Sequence, residues 1–209
     1  MMFLNKRLAV FFYCLLCLMA GVVSQAKGLP KLQEGDIIFQ QSRSSQSLAI
    51  QQATGSPYSH MGIILLRNGK PYVFEAAGQV KYTPLNAWIA RGEGKHFVIK
   101  RLKNGGQPLS ELQQLRIRQQ AQQFVNLPYD MQFTWSDNKM YCSELVWKIY
   151  DRALGVPIGK LQKISEFHFT PIVLFKLYDR YGKQVPWNQQ VISPQAMFES
   201  PLLVTVIDQ

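Results

Sequence analysis

Met140-Tyr141-Cys142-Ser143-Glu144-Leu145-Val146 is the stretch on which the reading of this chain turns. It places a cysteine where a polar loop gives way to an amphipathic helix. Leu145, Val146, Ile149 and Ala153 recur at helical spacing, and Cys142 falls on the same face. Upstream, Asp137 or Asn138 stands where a helix cap is expected. A cysteine in a first helical turn sits in the positive field of the helix dipole, beside unpaired backbone N–H groups. Both favour thiolate over thiol. The plainer reading of the same position is a small buried core residue, since free cysteine is among the most buried side chains.

The cysteine count weighs against that plainer reading. The 209-residue chain opens on Met1-Met2-Phe3-Leu4-Asn5-Lys6-Arg7, runs through an apolar segment from Leu8 to Val23, and reaches Ser24-Gln25-Ala26. A positive start, an apolar middle and small residues before a cut describe a secretory signal, cleaved after Ala26. The expected organisation is therefore a signal peptide over 1–26 and a single domain over 27–209, exported to the periplasm. An uncleaved membrane anchor is the alternative, because the run is long for a signal and slightly short for a span. Cys14 and Cys17 lie inside the signal, and no small residue just before Cys17 marks a lipoprotein site. Cys142 is then alone in the exported chain. A lone thiol there is an intermolecular bridge or a free reactive group.

The formal net charge is +10, from 23 Lys and Arg against 13 Asp and Glu, and the signal removes only Lys6 and Arg7. A basic exported protein suits anionic surroundings such as cell-wall polymer or membrane lipid headgroups. The charges are scattered, with no dense basic run or recognisable module, so nucleic acid is not an expected partner.

Turn signals divide the remainder into short elements. Glu34-Gly35-Asp36 turns into a strand at Ile37-Ile38-Phe39, with Asp36 read as structural. A short helix is expected from Ser44 to Ala53, stopped by Gly55. Ser59 to Leu66 and Pro71 to Ala77 read as two strands joined by Asn68-Gly69, the strongest short hairpin signal. A two-residue turn there pairs Arg67 with Lys70. Counting back, Gly62 faces Glu75 and His60 faces Ala77. His60 and Glu75 then share one sheet face as diagonal neighbours, roughly 7–8 Å apart at the backbone, with Gly62 leaving room between them. A loop one residue longer would turn Glu75 to the other face. Beyond the hairpin, Val80 to Tyr82 extends the sheet, and Thr83-Pro84 caps a short helix through Ala90. His96 to Arg101 is a strand, and Ser110 with Gln113 forms a capping box for a helix ending near Asn126. Helices opened by Thr170-Pro171 and Ser193-Pro194 and a terminal strand from Leu202 to Ile207 complete one α+β domain.

A cysteine hydrolase requires a thiolate, an imidazole to share its proton, a polar group to orient the imidazole, and N–H donors at the developing oxyanion. Cys142 supplies the first, and its own N–H at a helix start is one such donor. Of the three histidines, His60 at a strand start leads modestly; His96 reads as a surface residue and His168 as packed or partly exposed.

Gly35-Asp36-Ile37-Ile38-Phe39, then Ser59-His60-Met61-Gly62-Ile63, then Glu75, then Tyr141-Cys142-Ser143-Glu144-Leu145 resembles the circularly permuted papain-like cysteine hydrolases. These belong to the NlpC-like superfamily, and the closest likeness is to its YiiX/YaeF group; lecithin retinol acyltransferase is more distantly similar. The likeness covers Gly35 to about Tyr150. It implies a permuted papain-like fold, an antiparallel sheet packed against helices with the nucleophile at a helix N-terminus. It also implies hydrolysis of amide or peptide bonds through a thioester acyl-enzyme. In its terms Cys142 is the nucleophile, His60 the general base, Glu75 the orienting residue, and Tyr141 a lining residue of the substrate site. Glu144, two residues past the cysteine, is read as structural.

The leading expectation is a cysteine amidase or peptidase acting on peptides or cell-wall fragments. One alternative keeps the triad for a lipid or ester, as an acyltransferase or lipase. The aromatics of the loop from Tyr129 to Trp135, with Phe167, Phe169 and Phe175, would then form an acyl cleft. Ordinary core is the preferred reading of those aromatics. The other alternative is a non-catalytic binding protein on the same fold. No cofactor is expected. The histidines lack partners at ligand spacing, so no metal is expected either. Oligomeric state is open.

Overall fold

The computed structural model describes residues 31–209; the signal segment and its cleavage point lie outside the described residues. The elements run β1 (Ile37–Gln40), α1 (Ser47–Thr54), β2 (His60–Arg67), β3 (Lys70–Ala77), β4 (Gln79–Pro84), α2 (Leu85–Arg91), β5 (Val98–Leu102), α3 (Glu111–Phe124), α4 (Cys142–Leu154), β6 (Gln162–Lys163), α5 (Pro171–Tyr181), β7 (Gln190–Val191), α6 (Pro194–Phe198) and β8 (Leu203–Asp208). Six strands make an antiparallel sheet in the order β4-β3-β2-β1-β5-β8, and β6 pairs with β7 separately. None of the described helices is long and apolar enough to cross a membrane.

The period of two along each strand sorts side chains to two faces. Ile37, Phe39, Met61, Ile63 and Phe74 pack with Ile117 of α3 and with Leu145, Val146 and Ile149 of α4. Ile38, Ile64, Val73 and Ile99 pack instead around Trp88 of α2. Helix α4 is buried along most of its length, charged residues included. Burial pushes the Glu144 carboxyl up to about 7, against the pull of Lys148, whose Nζ stands 2.8 Å away. Glu144 also accepts the Tyr141 N–H at 3.4 Å. Its structural role matches the sequence reading.

The hairpin forms in the expected register. Arg67 pairs with Lys70 and Ile63 with Phe74. Asn68 and Gly69 both have positive φ, 51° and 72°, as a two-residue primed turn requires. One step further, Gly62 lies against the next strand. A Cβ on Gly62 would sit 2.5 Å from Val73 Cγ1, 2.7 Å from the Phe74 carbonyl and 3.4 Å from Glu75 Cβ. Asp36 is structural as read: it accepts from Arg101 Nε at 2.7 Å, from Arg101 Nη2 at 2.8 Å, and from the Gln33 N–H. The capping box of Ser110 and Gln113 opens α3, and Gly55 and Gly155 end α1 and α4 in the left-handed conformation.

Two expected caps are corrected. Residue Tyr141, not Asp137 or Asn138, precedes the first turn of α4. Asp137 instead pairs with Lys148 at 2.9 Å and Arg152 at 2.8 Å, because the two cations projecting from α4 outcompete backbone N–H groups for its carboxylate. Thr83 lies in β4 and its hydroxyl donates to Glu75, so it does not cap α2; Pro84 takes the N-cap position without a side-chain bond.

Substituting Gly62→Ala forces the Phe74 backbone and Val73 apart at the centre of the sheet. Urea unfolding is expected to show a loss of about 1–3 kcal/mol; an unchanged midpoint would contradict the packing described.

Candidate active site

Three expected residues converge where β2, β3 and α4 meet. Glu75 is fully buried in β3. The His60 ring donates from Nε2 to Glu75 Oε2 at 2.6 Å, and its other face is covered by Trp88, with ring centroids 5.9 Å apart and planes 25° apart. Cys142, the first residue of α4, stands on the other side of the same ring, and its interaction with the ring raises the His60 value. With Nε2 turned to Glu75, Nδ1 is the nitrogen left for the sulfur. The neutral ring in this tautomer can accept the thiol proton.

A buried carboxylate needs donors, and Glu75 has four partners. Thr83 Oγ1 donates to Oε1 at 2.5 Å, Trp88 Nε1 to Oε2 at 3.0 Å, and Arg91 Nη2 to both oxygens at 2.6 and 2.7 Å, beside the His60 bond. Burial by itself pushes the Glu75 carboxyl up. The bond and charge of His60, then Thr83 and Arg91, outweigh that and hold it at about 2. Burial likewise lowers the His60 value. Its bonds to Cys142 and then Glu75, and the charge on both, raise it instead to about 9. Imidazolium is therefore the resting form at neutral pH.

The residues flanking the cysteine fix the wall beside it. Tyr141 Oη accepts the Ile192 N–H at 3.0 Å, and Ser143 Oγ donates to the Ile192 carbonyl at 2.8 Å. The Tyr141 hydroxyl is thus committed to structure, while the residue borders a cavity of about 120 Å³ that also reaches Cys142. That cavity is walled by Ile50 and Ala53 of α1, Phe167 and Phe169, and Val173 and Leu177 of α5. Tyr129 and Phe133 border it too. Tyr129, Phe133 and Phe167 pack against the core and line this cavity as well, so the core reading holds for them in part. Phe175 does neither; it is 66% exposed on α5. On the His60 side lies a wider recess of about 750 Å³, bordered by Gln40, Ser42, Ser59 and Arg91, and meeting the first at Gln46, Ile50 and Tyr129.

His96 and His168 take no part. His96 donates through Nδ1 to the Gln209 carbonyl, 2.6 Å away, and His168 is exposed. The bonds of Thr83, Trp88 and Arg91 to Glu75 are not among the sequence expectations. Trp88 and Arg91 stand three apart on α2, facing the sheet where a buried acid had been placed; that spacing was the available signal.

Comparison with known proteins agrees with this geometry. The family model described as "Permuted papain-like amidase enzyme, YaeF/YiiX, C92 family" matches residues 31–207, and the chain belongs to that family. The α+β sheet-and-helix architecture with a cysteine at a helix N-terminus is the permuted papain-like fold. Among its relatives is YiiX of Escherichia coli (strain K12), 54% identical over 175 residues, which cover 83% of this chain and 85% of YiiX. A crystal structure of yiiX from Escherichia coli O157:H7, described as a metalloprotein, is similar with a TM-score of 0.81 and 53% identity, covering 85% of this chain and 97% of that one.

The His60 imidazole is expected to titrate near pH 9 by NMR, and lower in both Glu75→Gln and Cys142→Ala, since each removes a bond that raises it. A midpoint at or below the ordinary value of about 6.5 would mean that the three side chains do not interact as described.

Proposed function

We propose that this protein is an exported cysteine amidase that cleaves amide bonds through a thioester on Cys142, with His60 as acid and base and Glu75 as the orienting carboxylate. The observation that carries the reading is the His60 ring held between the Cys142 thiol and a fully buried, fourfold-bonded Glu75. The thiolate attacks the amide carbonyl, and the Cys142 N–H at the start of α4 faces the developing oxyanion. The imidazolium of His60 gives its proton to the departing amine. Water then attacks the thioester, with His60 taking its proton, and the acid leaves. Glu75 holds the ring in the tautomer this sequence needs and stabilises its charge.

The Lys6-Arg7 start, apolar run and Ser24-Gln25-Ala26 support export, so the substrate is an amide met in the periplasm. Peptide fragments of the cell wall satisfy the chemistry. The cavity beside Cys142 favours an apolar acyl group on the substrate instead of a peptide, and so favours a lipid-derived compound.

The O157:H7 relative is described as a metalloprotein, so the donor set of this chain matters. Zinc sites use three or four protein ligands. Here Cys142 and His60 are two soft donors, but both oxygens of Glu75 already serve Thr83, Trp88, Arg91 and His60. No group of three or more His, Cys, Asp and Glu that could hold a metal occurs among the described residues. These residues do not fit a resident metal, and no step passes through one.

Cys142→Ala and His60→Ala are each expected to lower amide hydrolysis about a thousandfold or more. In the wild type, kcat/KM should fall as pH rises through about 9, where His60 loses the proton it gives to the amine. Alkylation of Cys142 by iodoacetamide should be fast at neutral pH and slow on the order of tenfold in His60→Ala. A cysteine that alkylates at the same rate with and without His60 sinks the catalytic reading and favours a binding protein.

A further inference from the structure

We infer that Gln40 selects the leaving half of the substrate, and that this half is an α-amino amide, the first residue of a peptide or its simple amide. The inference rests on the cysteine amidase reading and deepens it on the side where the amine departs. Gln40 ends β1 and pairs directly with His60 of β2. Residues paired in this way on antiparallel strands point to the same face, with Cβ atoms roughly 4.5–5.5 Å apart. The Gln40 carboxamide therefore belongs beside the ring that hands its proton to the departing nitrogen. Both residues border the same recess.

That carboxamide is built in at a cost. Gln40 is 2% exposed, yet its Oε1 is buried with no hydrogen-bond partner among the described residues. A buried polar atom left unpaired is destabilising, and native chains keep few of them. Other polar groups around the recess are already engaged. Arg91 bonds Glu75, Ser59 accepts the Ser42 N–H and pairs with the Ser47 hydroxyl, and Arg43 bonds Glu93. The chain also makes room for Gln40. Gly92 follows α2 with φ of −69°, a value open to any residue. A Cβ there would stand 2.4 Å from Gln40 Oε1 and 3.2 Å from its Cδ. Glycine at 92 thus keeps a seat for an oxygen that the described residues leave unbonded.

A group brought by the substrate completes the account. In an amide substrate, the nitrogen that takes the His60 proton is followed by the α-carbon and then, in a peptide, by a second amide. That second amide falls where the side chain paired with His60 can meet it. A carboxamide presents an acceptor oxygen and two donor hydrogens. An amide presents both kinds of group in return. A carboxylate only accepts, which leaves Oε1 as unpaired as before. An alkylamine offers nothing polar at that distance.

The test compares hydrolysis of N-hexanoylglycinamide, N-hexanoylglycine and N-hexanoylpropylamine, reading amine release. The acyl group is constant, so only the leaving half varies. The intrinsic lability of each bond is the same for every form of the protein and cancels when wild type and variant are compared. The preference in kcat/KM for glycinamide over propylamine, and over glycine, should fall at least about tenfold in Gln40→Met, which keeps the bulk and removes the polar group. By circular dichroism the same variant should melt at or above the wild-type temperature, because hydrocarbon replaces an unpaired buried amide. A glutamine kept for structure alone would melt lower on substitution and leave the preference unmoved. Gly92→Ala retains Gln40 and displaces its carboxamide; it should lower the preference in the same direction, and it decides if Gln40→Met does not fold. An unchanged preference overturns the inference and leaves the amidase reading in place. If none of the three compounds is cleaved, the amidase reading fails by itself and calorimetry with N-hexanoylglycinamide decides. Binding at least about tenfold weaker in Gln40→Met upholds the contact; equal or undetectable binding overturns it.

Discussion

A single carboxylate, Glu75, sets the terms for the rest of this site. It is fully buried, yet burial by itself opposes ionisation. The chain resolves the conflict by surrounding it with donors from three elements: His60 from β2, Thr83 from β4, and Trp88 and Arg91 from α2. Each donor is thereby fixed as well. The histidine ring is pinned at one nitrogen and stacked on Trp88, so its remaining nitrogen has only one direction to face. Where that nitrogen points, α4 begins and Cys142 waits. Removing one partner leaves the others facing an incompletely satisfied buried charge, which costs more than the bond itself contributes.

Much of this arrangement was legible in the sequence because it depends on local rules. The Asn68-Gly69 turn fixes hairpin register, register fixes faces, and faces bring His60 beside Glu75. The lone cysteine at a polar-to-amphipathic boundary marked the first turn of α4, though not its cap, and Gly55 marked a helix end as expected. What failed depended on competition between partners. Thr83 has the sequence of a cap, but a buried carboxylate attracts its hydroxyl more strongly than a backbone N–H does. Asp137 was drawn away from the helix start by Lys148 and Arg152 for the same reason.

The sequence offered a cleft of aromatics only as the less favoured of two readings. Its walls come from α1, from the segment around Phe167 and Phe169, from α5 and from the strand β7. They are held in place by contacts across long stretches of chain, such as Thr170 to Gln52 and Arg180 to Gln46. An aromatic residue in such a segment has the same local pattern whether it fills a core or lines a space. Only the packing of helices that are distant in sequence distinguishes Phe169 from a core phenylalanine, and Phe175, six residues on, lies exposed on the surface.

The double bond from Tyr141 and Ser143 to Ile192 has a consequence for assembly. Translation delivers the chain from its N-terminal end. By the time α4 has emerged, cysteine, histidine and glutamate are all present, but the wall they work against is still about fifty residues away along the chain. A nascent or truncated chain can therefore hold Cys142, His60 and Glu75 without holding the cavity wall beside them. The completed enclosure, rather than the meeting of Cys142, His60 and Glu75, is the last part of this region to form.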